Sequence, residues 1–310
     1  MIDKLIDLQS PPEKKTSVAL GLFDGCHRGH KQVIKRAVER ARKYGLAPAV
    51  FTFDTNTVTS KSGASERIMT DRQKRDFFRS CGIEYIYSPS FAELKDLSAE
   101  EFIREILVKK MNCGAVFCGK DFTFGRNAEG NSRLLSDICG ARYGIFCDII
   151  AVETVDGVKV SSTRIRELIR EGKMLEANML LGHFYSVYEP VIHGHELGRT
   201  MNFPTINQLF PENTVVPKYG VYASFTEIDG KNYRSITNIG VKPTVEKNSA
   251  LLAETYIIGY EGDLYGQRVN VSLYDFVRPE MKFGSIDELF ARIAADTEYV
   301  KNLEYKYNLL

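Results

Sequence analysis

GLFDGCHRGH, Gly21 to His30, is the stretch on which the reading of this chain turns. It closes the apolar run SVALGLF and opens a helix. A strand, a glycine-containing loop and a helix start in that order set backbone N–H groups and the positive end of the helix dipole against a glycine-lined gap, which suits a polyphosphate. His27 and His30 are three residues apart and can both face the gap, where imidazoles can donate hydrogen bonds to charge building on a phosphorus centre. Two other readings fit the same residues: a pair of solvated histidines at a helix start, and a metal site helped by Cys26. The flanking glycines serve phosphates, and the sequence shows no further ligand cluster.

Outward from that loop, the first half alternates apolar runs with helical stretches. The runs are SVALGLF, APAVFTF, IEYIY, GAVFCG and GIFCDIIAV, and their rhythm predicts a parallel sheet with crossover helices. Thr70 with Gln73 and Ser98 with Glu101 form capping-box patterns, and Gly45, Gly82 and Gly144 stand where left-handed residues end helices. After a helical stretch near Lys173 to Leu181 come strand-like segments between turns: FYSVYEPVIHG, GVYASFTEIDG, NYRSITNIG, AETYIIGYEG and QRVNVSLYDFV. This half reads as a β-barrel. A helix from about Ser285, with Ser285 and Glu288 as its capping box, runs towards Tyr305. The change of rhythm places the boundary near Gly182 to Glu189, giving a first domain of residues 1–185 and a second of 186–310.

At 310 residues the chain has room for two cores. It has no run of about 18 apolar residues to span a bilayer, so no membrane role is expected. The opening MIDKLIDLQSPPEKK lacks the apolar core and cleavage site of a secretory signal, so a cytoplasmic protein is expected. Six cysteines fall in the first half without a Cys-x-x-Cys pair and read as reduced thiols. A formal charge of +1 argues against a nucleic-acid surface and for phosphorylated small molecules.

SSTRIRE, Ser161 to Glu167, is a second helix start. Its hydroxyls can simply cap the helix, but Arg166 lies one turn along on the face of Ser162 and Thr163, where hydroxyls and a guanidinium can grip outer phosphates together. GKDFTFGRNAEG, Gly119 to Gly130, sets Phe122 and Phe124 among Asp121, Arg126 and three glycines. It reads either as a loop for a flat ligand or as a hairpin with core phenylalanines. GRTMNFPTIN, Gly198 to Asn207, is a phosphate loop or a plain turn, and Glu254, at the start of ETYIIGY, is an edge carboxylate or a general base. Neither half carries a Walker loop, so kinase chemistry here needs another phosphate cradle.

Together these segments resemble the bacterial bifunctional riboflavin kinase/FAD synthetase (FMN adenylyltransferase) family over nearly the whole chain and in the right order. The family's G-x-F-D-G-x-H-x-G-H is Gly21 to His30, its G-x-[DN]-F-x-F-G is Gly119 to Gly125, and its S-S-T-x-x-R is Ser161 to Arg166. In the second half, P-T-x-N is Pro204 to Asn207, N-I-G-x-x-P-T is Asn238 to Thr244, and E-T-x is Glu254 to Tyr256; LYGQ and RPEMKF are also family-like. The resemblance implies an α/β plus β fold: a Rossmann-like nucleotidyltransferase domain, then a riboflavin-kinase-type β-barrel with a C-terminal helix. The first domain would join AMP from ATP to FMN with release of pyrophosphate. The second would pass the ATP γ-phosphate to the ribityl 5′-hydroxyl of riboflavin.

Carried over by position, His27, His30, Asp121, Ser162, Thr163 and Arg166, with Gly21, Phe23, Asp24 and Gly25, would hold ATP in the first site. Gly198, Thr205 and Asn207 would hold Mg-ATP in the second, with Thr205 and Asn207 on the metal, and Glu254 would take the hydroxyl proton. Phe122, Phe124, Arg126 and Arg278 would contact flavin. His27, His30, Arg166 and Glu254 are the catalytic candidates. Riboflavin, FMN and ATP are the expected partners and Mg2+, with ATP, the expected cofactor, without a tightly bound prosthetic group; self-association is left open. The chain departs from the family pattern at three places: Thr55, Asn56 and Thr57 stand for Pro-His-Pro, Asn202 for the glycine before F-P-T, and Tyr256 for the histidine after E-T. The alternatives are a single-activity relative, a riboflavin kinase with weak or lost adenylyltransferase, and a flavin-binding protein without turnover.

Overall fold

The apolar runs of the first half are strands. In chain order they are β1 (Ile6–Asp7), β2 (Thr16–Leu20), β3 (Ala47–Phe51), the short pair β4 (Thr59–Ser60) and β5 (Gly63–Ala64), β6 (Tyr85–Tyr87), β7 (Cys113–Gly119), the pair β8 (Thr123–Phe124) and β9 (Gly130–Asn131), β10 (Phe146–Ile150), and the pair β11 (Thr154–Val155) and β12 (Val158–Lys159). The helices between them are α1 (Arg28–Tyr44), α2 (Asp71–Ser80), α3 (Phe91–Leu94), α4 (Ala99–Glu101), which runs on as a wide π-type helix over Phe102–Lys110, and α5 (Ser132–Tyr143). The computed structural model describes residues 5–54, 59–60, 63–64, 66–193, 205–243 and 249–304. Thr55, Asn56, Thr57, Gly198, Asn202, Pro204, Thr244 and Tyr305 lie outside the described residues. The chain divides into two compact units, one up to Ser162 and one from Thr163.

In the first unit the sheet order is β1-β6-β3-β2-β7-β10, all parallel. From β2 the chain builds outward through β3 and β6, then returns to add β7 on the other side of β2. That reversal opens a crevice at the carboxyl ends of β2 and β7, where open α/β sheets bind their ligands. Every residue of β2 and β3 is buried, as expected of central strands covered on both faces. Val18 and Leu20 pack on one face with Phe102, Ile103 and Leu135. Ala19 and Val50 pack on the other with Ile34, Ala37 and Phe78.

The helix boundaries follow the predicted caps. Thr70–Gln73 and Ser98–Glu101 are reciprocal capping boxes, and Gly45, Gly82 and Gly144 take left-handed φ of 67°, 86° and 61°. At the last helix the pattern differs: Ser285 Oγ accepts from Glu288 N at 3.2 Å, but the Glu288 carboxylate accepts from Gly284 N at 2.8 Å.

The second unit begins with α6 (Ser162–Glu171), which straddles the division, and α7 (Met174–Leu181). Strands β13 (Tyr185–Ile192), β14 (Thr205–Leu209), β15 (Gly220–Ile228), β16 (Lys231–Pro243), β17 (Ser249–Ile257) and β18 (Arg268–Arg278) follow, then α8 (Ile286–Asn302). They close an antiparallel barrel in the order β13-β14-β17-β16-β15-β18. Val221, Ala223, Phe225 and Ile236 pack with Val300 of α8, so that parity faces outward under the helix. The opposite parity carries hydroxyls inside: Ser224 meets Thr237 at 2.8 Å, Thr237 meets Thr255 at 2.9 Å, and Thr226 meets Ser235 at 2.6 Å. Asn178 of α7, 1% exposed, donates to Leu273 O at 2.9 Å and accepts from Tyr185 N at 2.8 Å, so this helix is tied into the barrel.

Candidate active sites

Gly21 to His30 leaves the end of β2 and enters α1 at the crevice. Phe23, Gly25 and Cys26 have φ of 53°, 72° and 40°, a left-handed run that turns the chain sharply before the helix. A side chain at Gly25 would also press into Ile68, 2.9 Å away. Gly21 packs under the Phe23 ring, where a Cβ would lie 3.0 Å from Phe23 Cζ. Asp24 fastens the loop from inside: its Oδ1 accepts from Ile68 N at 2.9 Å, and its carbonyl accepts from Ser162 Oγ at 3.0 Å.

His27 is the N-cap of α1. Its Nδ1 accepts from His30 N at 3.3 Å, so the neutral ring carries its proton on Nε2. The two imidazoles stack at 3.5 Å and 15°, and the His30 ring also meets the Phe23 ring at 5.3 Å. Burial, with His27 and Lys74 adding to it, holds His30 well below the usual histidine range. His30 is thus neutral at physiological pH, and its Nδ1 is buried without a hydrogen-bond partner. Spacing predicted a shared face; it did not reveal that one histidine caps the helix and the other stacks on it.

Cys26 is fully buried, its thiol donates to Phe23 O at 3.3 Å, and burial pushes its pKa well up. A protonated, inward-turned thiol is a poor metal ligand. Among the described residues no group of three or more His, Cys, Asp or Glu is placed to hold a metal ion.

Two residues beside this loop escaped the sequence reading. Lys74 of α2 is 3% exposed, with Nζ 3.5 Å from Phe53 O and 3.6 Å from Asp71 Oδ1; burial lowers its pKa, and Asp71 opposes that. Its position four residues before the buried Phe78, on the apolar stripe of α2, was the available signal. Glu153 has a buried Oε2 without a hydrogen-bond partner, and nothing local in the sequence marks it.

In the Gly119 to Gly130 loop, Phe122 and Phe124 stack at 5.7 Å and 14°. Phe124 is 7% exposed and packs at 5.3 Å on Phe102, a core position; Phe122 is half-buried on the same cluster. Asp121 is exposed with Lys159 Nζ 3.6 Å away, and the Arg126 side chain is exposed. Thr163 is exposed and Arg166 half-buried on the first turns of α6.

In the barrel, Thr205, Asn207 and Glu254 come together. Thr205 Oγ1 donates to Glu254 Oε1 at 3.2 Å, and Glu254 stands opposite Asn207 on one side and Asn238 on the other. This row shares the outward parity of Ile236 and Tyr256. Asn238 Nδ2 reaches Glu280 Oε1 at 3.5 Å, and a Cβ at Gly240 would collide with that oxygen. Asn238 and Glu280 lie in segments already singled out, yet only the strand register shows that Asn238 flanks Glu254. Arg278 is engaged elsewhere: its Nε and Nη2 each lie 2.8 Å from Asp296 Oδ2, and Asp296 is 3% exposed. Its guanidinium ties the end of β18 to α8.

A glycine-containing loop and helix start at the switch point of a parallel α/β unit, followed by a barrel bearing a hydroxyl–amide–carboxylate row, fit a two-domain transferase of nucleotidyltransferase and kinase type. Residues 9–164 match the FAD synthetase family model, and residues 181–304 match the riboflavin kinase model. The chain belongs to the bifunctional riboflavin kinase/FMN adenylyltransferase family and carries both of its domains. The relative of that name from Listeria monocytogenes is 34% identical over 285 residues, covering 91% of this chain and 90% of its own. The one from Escherichia coli K12 is 34% identical over 304 residues, covering 96% and 95%. A solved structure described as a macrolide-efflux protein from Streptococcus pneumoniae covers 98% of this chain and 100% of its own, with TM-score 0.84 and 29% identity.

Proposed function

We propose that both domains are active: the barrel phosphorylates riboflavin to FMN, and the first unit transfers AMP from ATP to FMN, releasing pyrophosphate. The observation that carries the reading is the Thr205–Glu254 hydrogen bond inside the Asn207–Glu254–Asn238 row, in a chain that also keeps the Gly21 to His30 crevice.

Phosphoryl and nucleotidyl transfer need positioning and charge stabilisation, with a base near the attacking oxygen. In the barrel, Glu254 takes the proton of the ribityl hydroxyl, and Thr205, bonded to it, fixes the carboxylate's orientation. Thr205 and Asn207 offer hydroxyl and amide oxygens, hard donors that fit Mg2+; that ion, when bound, would neutralise charge on the transferred phosphate. Gly198 belongs to the same proposed phosphate loop. In the first site, His27 directs its Nε2 proton to the phosphate undergoing attack, and His30, kept neutral, supports it by stacking. Gly21, Phe23, Asp24 and Gly25 give the loop its shape, and Asp121, Ser162, Thr163 and Arg166 hold the nucleotide by their place in the family's motifs. Phe122, Phe124, Arg126 and Arg278 remain the proposed flavin contacts, of which Phe122 and Arg126 have the freer side chains.

The proposed chemistry divides between residues 1–185 and 186–310, with α7, just before the second, serving as part of the barrel's structural unit, and the proposed location is the cytoplasm. Among the described residues no helix is long and apolar enough to cross a membrane. The efflux description belongs to the Streptococcus pneumoniae protein. The test is one incubation of the purified chain with riboflavin, ATP and Mg2+, resolved by chromatography. FMN followed by FAD is expected; FMN alone would leave a single-activity kinase, and neither product would leave a flavin-binding protein.

A further inference from the structure

Glu153 follows β10 and stands beside the first turn of α1. A Cβ on Gly29 would lie 3.9 Å from Glu153 Cβ and 3.4 Å from His27 Cε1. Glu153 Oε2 is buried and has no hydrogen-bond partner, and His30 Nδ1, on the same helix turn, is likewise buried and unpartnered. Buried polar atoms are costly when left unmatched, so two of them at one helix start point to a ligand that completes them. The two are chemically unlike. A neutral imidazole nitrogen and the N-terminus of a helix suit phosphate, whereas a carboxylate repels it. A divalent cation between carboxylate and phosphate removes the conflict, and Mg2+ commonly takes one or two protein carboxylates together with substrate phosphates and waters.

We propose that Glu153 is the protein carboxylate that holds the divalent cation of the nucleotide in the first site. The inference rests on the reading of that site as an ATP site. It gives the first domain a cation ligand separate from Thr205 and Asn207, outside the family's quoted motifs, and contributed by the connection between β10 and β11. The carboxylate binds the ion through oxygen alone and passes no proton.

The test uses the full chain and its Glu153→Gln and Glu153→Asp variants. Bound Mn2+ is counted by electron paramagnetic resonance in the presence of α,β-methylene-ATP. The Mg2+ dependence of FAD formation from supplied FMN is the second readout, and FMN formation from riboflavin is the internal control. The parent chain should bind two Mn2+ ions with nucleotide. Glu153→Gln should weaken one of them by about 10–100-fold, with a matching rise in the Mg2+ needed for half-maximal FAD formation, as is typical when a metal site loses a supporting group. FMN formation and its Mg2+ dependence should not change, and Glu153→Asp should fall between. An unchanged Mn2+ count and unchanged Mg2+ dependence in Glu153→Gln would overturn the assignment. So would a loss of nucleotide affinity that is equal with and without Mg2+, since Glu153 would then be holding a sugar hydroxyl. If Glu153→Gln does not fold, Glu153→Asp decides by the same criterion. A parent chain that forms no FAD sinks the underlying reading too, and that result is visible before any variant is compared.

Discussion

Replacing Asn178 by Leu should destabilise the kinase unit by about 2–6 kcal/mol while leaving FAD formation from supplied FMN intact. Asn178 Nδ2 donates to Leu273 O at 2.9 Å, and Oδ1 accepts from Tyr185 N at 2.8 Å. Leu273 and Tyr185 are 0% and 3% exposed, so water cannot take over either group. Leucine matches the side chain in size, which keeps the packing but takes a partner from the Tyr185 N–H and from the Leu273 carbonyl, with the Tyr274 carbonyl, 3.4 Å from Nδ2, losing its weaker contact as well. Each stranded group costs about 1–3 kcal/mol, and the sum is a large fraction of the ~5–15 kcal/mol that holds a domain together. In urea, with a slope of about 2 kcal/mol per molar, the midpoint should fall by roughly 1–3 M. The assay is FMN formation after equilibration in urea, with circular dichroism alongside and FAD formation from FMN as the control. A fragment beginning at residue 186 lacks the same two bonds and should be weak, whereas one beginning at Thr163 retains α7 and should fold and make FMN. A variant within ~0.5 kcal/mol of the parent, or a 186–310 fragment as stable as 163–310, would refute the claim that α7 is part of the kinase unit.

Two single substitutions should uncouple the activities. Glu254→Gln is expected to lower FMN formation by the ~10²–10⁴-fold typical of a lost general base while FAD forms normally from FMN, and loss of both would defeat the assignment. His27→Asn keeps an oxygen for the α1 cap but removes the Nε2 donor, so FAD formation should fall by about 10²–10³-fold while FMN accumulates; near-normal FAD synthesis would contradict the donor role. His30 gives a pH signature: its folded pKa is depressed, so below about pH 6.5 the unfolded chain takes up a proton that the folded chain does not. Stability contributed by the neutral ring is present above that pH and falls by up to about 1.4 kcal/mol per unit below it, a slope that should vanish in His30→Asn thermal melts and would, if unchanged there, belong to another group. Changing Thr55-Asn56-Thr57 to Pro-His-Pro should raise FAD formation without affecting FMN formation; no rise in the product ratio means that the departure is neutral.

Local signals carried far in this chain. The caps at Thr70 and Ser98 and the left-handed glycines at 45, 82 and 144 depend on residues within one turn, and their geometry is the predicted one. The crevice was legible because a parallel sheet exposes its loops at the strand ends, and Gly21 to His30 is such a loop. What stayed hidden needed partners far apart in sequence. Lys74 and Glu153 reach the α1 start only once α2 and the segment after β10 have packed. For Arg278, expected against flavin, the ion pair with Asp296 emerges only when α8 packs beside β18. Asn238 becomes a neighbour of Glu254 through strand register, which no spacing rule supplies. Rhythm also shows where helices give way to strands, but not what a helix packs on, and the Asn178 side chain of α7 bonds to both β13 and β18.

The alternation along β17 has an evolutionary corollary. Thr255 joins the hydroxyl ladder within the barrel, and its neighbours Glu254 and Tyr256 stand on the outside, so fold and chemistry are interleaved residue by residue on one strand. Inserting or deleting a single residue there would exchange the two sets at once, driving a carboxylate into the interior and turning a hydroxyl out. Lineages of this barrel can therefore drift by substitution within a strand, but changes of length must be confined to the turns. Alignments of relatives should show gaps clustering at Asp229–Gly230 and Glu261–Asp263, and none between Ala253 and Ile257.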